Sequence, residues 1–327
     1  MTSIFSRYGI PAIATSAVAA LAYAVVPRSS RLRAGQVAVI TGGSRGLGLA
    51  IAHRFGRAGL KLVLAARNAD ELELARDGLL RSRDVIEEDD VLLVNCDLTD
   101  QAQAAGLIDA AMRAFGRIDV LINNAGIIEV GPVEDQPLEA YSRAMQTNFF
   151  AALYTTHAAL PHLLGNTEGA PRAIVNIASI GGKIPVPHLL PYVASKFALT
   201  GFSEGLHTEL RHKGVRVTTV CPGLMRTGGE SHAVFIGNVE KEKAWFDMGA
   251  KTPIIAASVT HAANRIFNAV NSGRAEITIT PQAWLAARVH GLMPGVTQHV
   301  AALVNHHILP APISEDATEM IADPSPS

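Results

Sequence analysis

Charge is scarce in this chain. Its 327 residues hold 28 Lys+Arg against 29 Asp+Glu, a formal −1, and only 17% are charged. Such a balance provides no basic, phosphate-tracking surface, which excludes nucleic acid as the expected partner. Aromatic residues are few at 5%, and Cys96 and Cys221 are the only cysteines. Two thiols cannot build a disulfide scaffold, and each sits at the end of an apolar run, where cysteine serves as a small buried hydrophobe. The 12 histidines include no HExxH or other metal-ligand spacing, so no metal site is expected. Internal repeats and low-complexity blocks are also missing. What the chain has is apolar bulk: 48% hydrophobic residues and 28 glycines. That is too much for a disordered chain and suits buried parallel strands under tightly packed helices.

The two ends stand apart. Residues 8–26 carry no charge. At ~1.5 Å per residue they would form a helix of roughly 28 Å, enough to cross a bilayer. Arg7 precedes the stretch, and Arg28, Arg31 and Arg33 follow it, which places the body of the protein in the cytoplasm. A membrane anchor is the expected reading. A cleaved leader, given Ala22-Tyr23-Ala24, and a packed soluble helix are the alternatives. At the other end, residues 311–327 hold Pro312, Pro324 and Pro326, and four acids without a Lys or Arg, the composition of a mobile tail.

Between the ends, short and often β-branched runs at 37–40, 61–65, 91–95, 120–123, 173–178, 216–221 and 276–280 read as strands. Helical stretches at 47–58, 70–83, 101–115, 138–164, 192–213 and 258–271 alternate with them. Seven strands alternating with helices predict an α/β, Rossmann-type doubly wound domain around one seven-stranded parallel sheet. The expected organisation is a hydrophobic segment at 1–33, the Rossmann domain at 34–281, a helical extension at 282–310 and the tail at 311–327. Ligands of such sheets bind beyond the carboxyl ends of the strands, and the polar motifs fall there.

The first strand runs into Thr41-Gly42-Gly43-Ser44-Arg45-Gly46-Leu47-Gly48. The glycines permit a tight turn and close backbone approach to a pyrophosphate, which the next helix meets with unpaired N–H groups. Asn123-Asn124-Ala125-Gly126 ends the fourth strand, Asn148 lies in the next helical stretch, and Ser179 ends the fifth strand. Tyr192 and Lys196 follow as i and i+4, on one helix face. A free phenol has a pKa near 10, and a neighbouring ammonium favours its ionised form, so the pair is suited to proton transfer. These motifs, TGxxxGxG, NNAG, Ser, YxxxK and Pro222-Gly223, occur in the order of the short-chain dehydrogenase/reductase family, which the chain resembles over roughly residues 35–280.

The resemblance implies a nicotinamide cofactor held by Gly42, Ser44, Arg45, Gly46, Leu47, Gly48, Arg67, Asp97, Leu98, Asn124, Ala125, Gly126, Tyr192, Lys196, Pro222, Gly223 and Thr227. It implies catalytic roles for Asn148, Ser179, Tyr192 and Lys196. Tyr192 would exchange the proton, Lys196 would lower its pKa and hold the ribose, Ser179 would hold the reacting oxygen, and Asn148 would hold a water linking Lys196 to solvent. Many NAD enzymes place an acid after the second strand; here the sequence is Leu64-Ala65-Ala66-Arg67-Asn68. Arg67 and Arg45 suit a 2′-phosphate, so the expected cofactor is NADP(H), with NAD(H) second.

Other signals carry less. Gly201-Phe202-Ser203-Glu204-Gly205 matches the GxSxG of serine hydrolases, but it falls inside a helix rather than at a strand-to-helix turn. His188, four residues before Tyr192, is a candidate pocket residue. The segment 224–252 covers the substrate in the resembled family, and here it is rich in apolar residues, including Phe235, Trp245 and Phe246. An apolar lid predicts a lipophilic substrate. The expected function is an NADP(H)-dependent oxidoreductase of a carbonyl and secondary-alcohol pair, held at the cytoplasmic face of a membrane and homo-oligomeric by family analogy. An NAD-linked alcohol dehydrogenase and a non-catalytic NADP-binding sensor are the alternatives.

Overall fold

The computed structural model describes residues 31–165, 170–226, 233–251 and 256–313. Strands β1 (Val37–Thr41), β2 (Lys61–Ala66), β3 (Val91–Asn95), β4 (Val120–Asn123), β5 (Arg172–Ile177), β6 (Val215–Cys221) and β7 (Glu276–Thr278) form one sheet in the order β7-β6-β5-β4-β1-β2-β3. Every pairing in it is parallel. The chain starts in the middle, winds outward through β3, crosses back and fills the other half. That reversal between β1 and β4 opens the crevice in which such folds bind ligands.

Strict alternation of side chains divides the core into two layers. Ala38, Ile40, Leu62, Leu64, Val120 and Ile122 face helices α1 (Gly46–Gly56), α2 (Ala69–Arg81) and, further on, Val259–Ser272. Val37, Val39, Val63, Leu121, Ile174 and Val217 face α3 (Gln101–Phe115) and the helix Ala151–Gly165 on the opposite side. Each fully buried Leu, Ile or Phe contributes about 1.5–3 kcal/mol by leaving water. Phe55 of α1 meets Phe267 edge-on at 5.1 Å, locking the first layer together.

The helix expected over 138–164 is in fact three pieces: α4 (Leu138–Met145), a π-helical turn (Gln146–Phe150) and α5 (Ala151–Gly165). The turn buries Asn148, whose side chain is anchored across the fold to Ile127 and Ser195. The remaining helices are α6 (Leu190–Leu210), α7 (Val239–Lys251), α8 (Val259–Ser272), α9 (Pro281–Leu292) and α10 (Pro294–His307). Helix α9 is capped by Thr280, whose Oγ accepts from Ala283 N–H, and α8 by Ser258. Helices α9 and α10 form a hairpin that leaves Trp284, Leu292, Val300 and Leu303 exposed.

Cys96, just past β3, and Cys221, closing β6, are free and buried. Ser203 lies inside α6 with no exposure, accepting from Asn176 and Thr219, so it cannot act as a surface nucleophile. Among the described residues no helix is long and apolar enough to cross a membrane, and no His, Cys, Asp or Glu cluster could hold a metal. The segment 8–26, the tail beyond residue 313 and Thr227 lie outside the described residues.

Candidate active site

The glycine turn and the NNAG loop form one joint. Gly42 and Gly46 adopt left-handed φ values of 62° and 56°, which a side chain would strain. A Cβ on Gly48 would collide with the Gly42 carbonyl oxygen and lie 2.6 Å from Asn124 Nδ2. Asn124 in turn donates from Nδ2 to the Thr41 and Gly42 carbonyls, at 3.0 and 3.1 Å. Thr41 Oγ1 accepts from the Asn124 and Ala125 N–H groups. The strand ends β1 and β4 are thereby bolted together with backbone, leaving no room for bulk. Helix α1 begins at this joint with no side-chain cap and no acid in its first turn. Its N–H groups suit an anion, so these residues fit the pyrophosphate of a dinucleotide.

Along the crevice, Arg67 stands exposed at the end of β2. Arg45 and Ser44 both bond to Glu71, each at 2.9 Å, a contact the sequence reading missed. Beyond β3, Asp97 accepts from the Thr99 N–H and hydroxyl, and Leu98 is buried beside it.

The four expected catalytic side chains converge at the ends of β4 and β5. Ser179 Oγ accepts from Gly181 N–H at 3.0 Å and lies close enough to the Tyr192 hydroxyl to pull its pKa down. Gly181 packs against both, since a Cβ there would lie in ordinary contact, 3.4 Å from the Tyr192 ring and 3.5 Å from Ser179 Oγ. Lys196 Nζ donates to the Ile177 carbonyl at 2.9 Å and lies 5.6 Å from the centre of the Tyr192 ring. Asn148 Nδ2 donates to the Ile127 carbonyl and to Ser195 Oγ, while its Oδ1 accepts from Ile127 N–H. Ser195 passes the chain on to the Tyr192 carbonyl at 2.7 Å. Gly126 closes the ring: a Cβ there would sit 3.0 Å from Asn148 Oδ1 and 3.5 Å from Lys196 Nζ.

Burial dominates the electrostatics. It pushes the Tyr192 phenol up to about 12, against a smaller downward pull from the Ser179 hydrogen bond. It brings the Lys196 ammonium down to about 8. The expected lowering of the Tyr192 pKa by Lys196 is therefore not what this geometry gives. The ammonium is engaged by a backbone carbonyl, and desolvation favours the neutral form of both groups.

The segment expected to cover the substrate does close over Tyr192. Its strand Val234–Phe235 pairs in parallel with Glu129–Val130, and Ala233, Phe235, Trp245 and Phe246 pack into one apolar cluster with Tyr192, Val193 and Leu189. On the cofactor side, Pro222 accepts from Ile180 N–H, and Gly223 packs against Thr280 and Ala283 at the start of α9. Two polar features here escaped the sequence reading. Glu129, buried, pairs bidentately with Arg143. Asn123 and Asn176, both in buried strands, join Thr155, Ser203 and Thr219 in one network. Asn176 inside the apolar run of β5 was the available signal.

The decisive comparison is with families. A family model described as short chain dehydrogenase matches residues 36–233. The chain is a short-chain dehydrogenase/reductase. This short-chain dehydrogenase/reductase is 33% identical over 262 residues to dehydrogenase/reductase SDR family member 7B of Bos taurus, covering 80% of this chain and 78% of that one. It is 37% identical to the human SDR family member 7, the match spanning 56% of this chain and about half, 53%, of the human protein. Among solved structures, a Burkholderia phymatum short-chain dehydrogenase/reductase in complex with NAD superposes with a TM-score of 0.73 at 27% identity, over 80% of this chain and 95% of that one.

Proposed function

We propose that the chain is an NADP(H)-dependent oxidoreductase that interconverts a carbonyl and a secondary alcohol on a lipophilic substrate. The observation that carries this reading is the convergence of Ser179, Tyr192 and Lys196 beside the glycine joint, beneath an apolar lid. The nicotinamide, when bound, supplies or accepts the hydride. Tyr192 gives the proton to the carbonyl oxygen in reduction and removes it from the alcohol in oxidation. Ser179, beside Tyr192, holds the same oxygen. Lys196, held in place by the Ile177 carbonyl, holds the ribose. Asn148 organises the path by which Lys196 exchanges protons with solvent. The glycine joint from Gly42 to Gly48, with Asn124, Ala125 and Gly126, holds the pyrophosphate and the ribose, Asp97 and Leu98 flank the adenine, and Pro222, Gly223 and Thr227 enclose the nicotinamide. The segment 8–26 anchors the enzyme at the cytoplasmic face of a membrane, where lipophilic substrates concentrate, and the enzyme is a homo-oligomer.

Arg67 supports the choice of NADP(H). The two residues directly after β2, Arg67 and Asn68, include no acid, and Arg45 is engaged by Glu71. The test is oxidation of NADPH and NADH by the full chain in detergent, with a panel of lipophilic ketones and aldehydes. Turnover with NADPH is expected. A charge-assisted hydrogen bond contributes about 1.5–3 kcal/mol, so Arg67→Ala should cut the NADPH-over-NADH preference by roughly 10–100-fold. Equal use of both cofactors by the unaltered protein would rule out the NADP(H) assignment.

A further inference from the structure

Glu242 has no place in this mechanism, yet it is a carboxylate with 0% exposure on the lid helix α7. Its Oε2 accepts from Trp245 Nε1 at 2.6 Å, three residues along the same helix face. Its Oε1 lies 2.8 Å from Nδ1 of His188, whose side chain is 4% exposed. His188 belongs to the other side of the pocket, four residues before Tyr192. Its own geometry is fixed: it holds a left-handed φ of 61°, rare without glycine, and its carbonyl accepts from Gly131 N–H at 2.8 Å. The His188 and Trp245 rings meet edge-on at 6.2 Å.

Burying a carboxylate is costly unless every lone pair is used, and an apolar residue of similar size would close this gap at less cost. What the carboxylate adds is geometry. A buried indole needs a partner for its N–H, and Glu242 supplies it while fastening the same helix to the residue that leads into α6. Trp245 thus sits in a fixed pose within the apolar cluster that includes Tyr192. We propose that Glu242 is a specificity-determining positioning residue: through His188 it fixes Trp245 as a rigid pocket wall and so limits the size of the group carried by the substrate carbonyl. This rests on the reading of Tyr192 as the proton-exchanging residue.

The experiment uses the full chain and measures kcat/KM with NADPH for methyl ketones bearing phenyl, naphthyl and four-ring substituents. Glu242→Ala and Trp245→Ala are expected to raise the large-to-small selectivity ratio by about tenfold or more, the scale on which one pocket contact discriminates. Glu242→Gln, which can still accept from the indole and bond to His188, should keep the original ratio. A second readout is independent of turnover. In a Trp284→Phe background Trp245 is the only indole, and Glu242→Ala should shift its emission to the red while Glu242→Gln leaves it in place. A uniform fall in kcat/KM across the series, or unchanged Trp245 emission in Glu242→Ala, would overturn the proposal. A Tyr192→Phe variant that keeps full activity would instead overturn the reading beneath it, and the emission result would still decide whether Glu242 holds Trp245.

Discussion

Tyr192→Phe is expected to lower kcat by about 10²–10⁴-fold, the usual contribution of a positioned general acid or base, while leaving NADPH affinity unchanged. The phenyl ring can fill the same space against Gly181, so only the hydroxyl is lost. The same group sets a pH signature. Burial holds the phenol at about 12, above its ordinary value, so its proton is bound more tightly. Carbonyl reduction needs the protonated phenol and should be insensitive to that titration through neutral pH. Alcohol oxidation needs the phenolate, whose fraction grows tenfold per pH unit below the pKa, so oxidation should climb steadily from neutral to alkaline pH. Measuring kcat/KM in both directions from pH 6 to 10 checks this. A flat oxidation profile in the unaltered enzyme would remove Tyr192 as the group that carries the proton.

Gly48→Ala should be nearly as damaging, for a different reason. Its Cβ would strike the Gly42 carbonyl and Asn124 Nδ2, so the conflict is with backbone and with the residue that braces it. Ordinary overpacking costs about 1–3 kcal/mol because side chains can give way. Here the turn and the first residues of α1 must separate, which removes the anion cradle along with stability. A lower Tm together with loss of measurable NADPH binding is the expected result. Gly106→Ala is the control. Gly106 lies in the middle of α3 with open space where a Cβ would go, and alanine there should raise stability by roughly 0.5–1 kcal/mol. A Gly48→Ala protein that binds NADPH normally would show that the joint does not form the cradle.

Much of this was legible in the sequence because parallel strands buried on both faces are written as short continuous apolar runs. β3 and β4 have the expected bounds, and the others differ from expectation by one or two residues. Tyr192 and Lys196 were legible as a local pair, and the glycine turn by its strand-to-helix setting. The π turn at 146–150 was not, because helical periodicity shows neither one extra residue nor the contacts of Asn148 with the distant Ile127 and Ser195. The same limit hid Glu71 against Arg45, Glu129 against Arg143, and Glu242 between His188 and Trp245. Each is an acid with a partner from another element, and from sequence alone a paired acid looks like a solvated one. It also reversed the expected effect on Tyr192, since proximity of Lys196 was readable but burial was not.

The two buried thiols give this fold a pair of internal clocks. Cys96 follows the edge strand β3, whereas Cys221 closes β6, flanked by β5 and β7. Burial raises their pKa values to about 11 and about 12, so neither presents a thiolate while its surroundings stay closed. A thiol reagent can therefore mark each one only when that part of the sheet opens. Edges open more readily than centres, so under native conditions Cys96 should be modified first, and the lag before Cys221 reacts measures how much more free energy it takes to breach the half of the sheet that carries Ser179 and Tyr192.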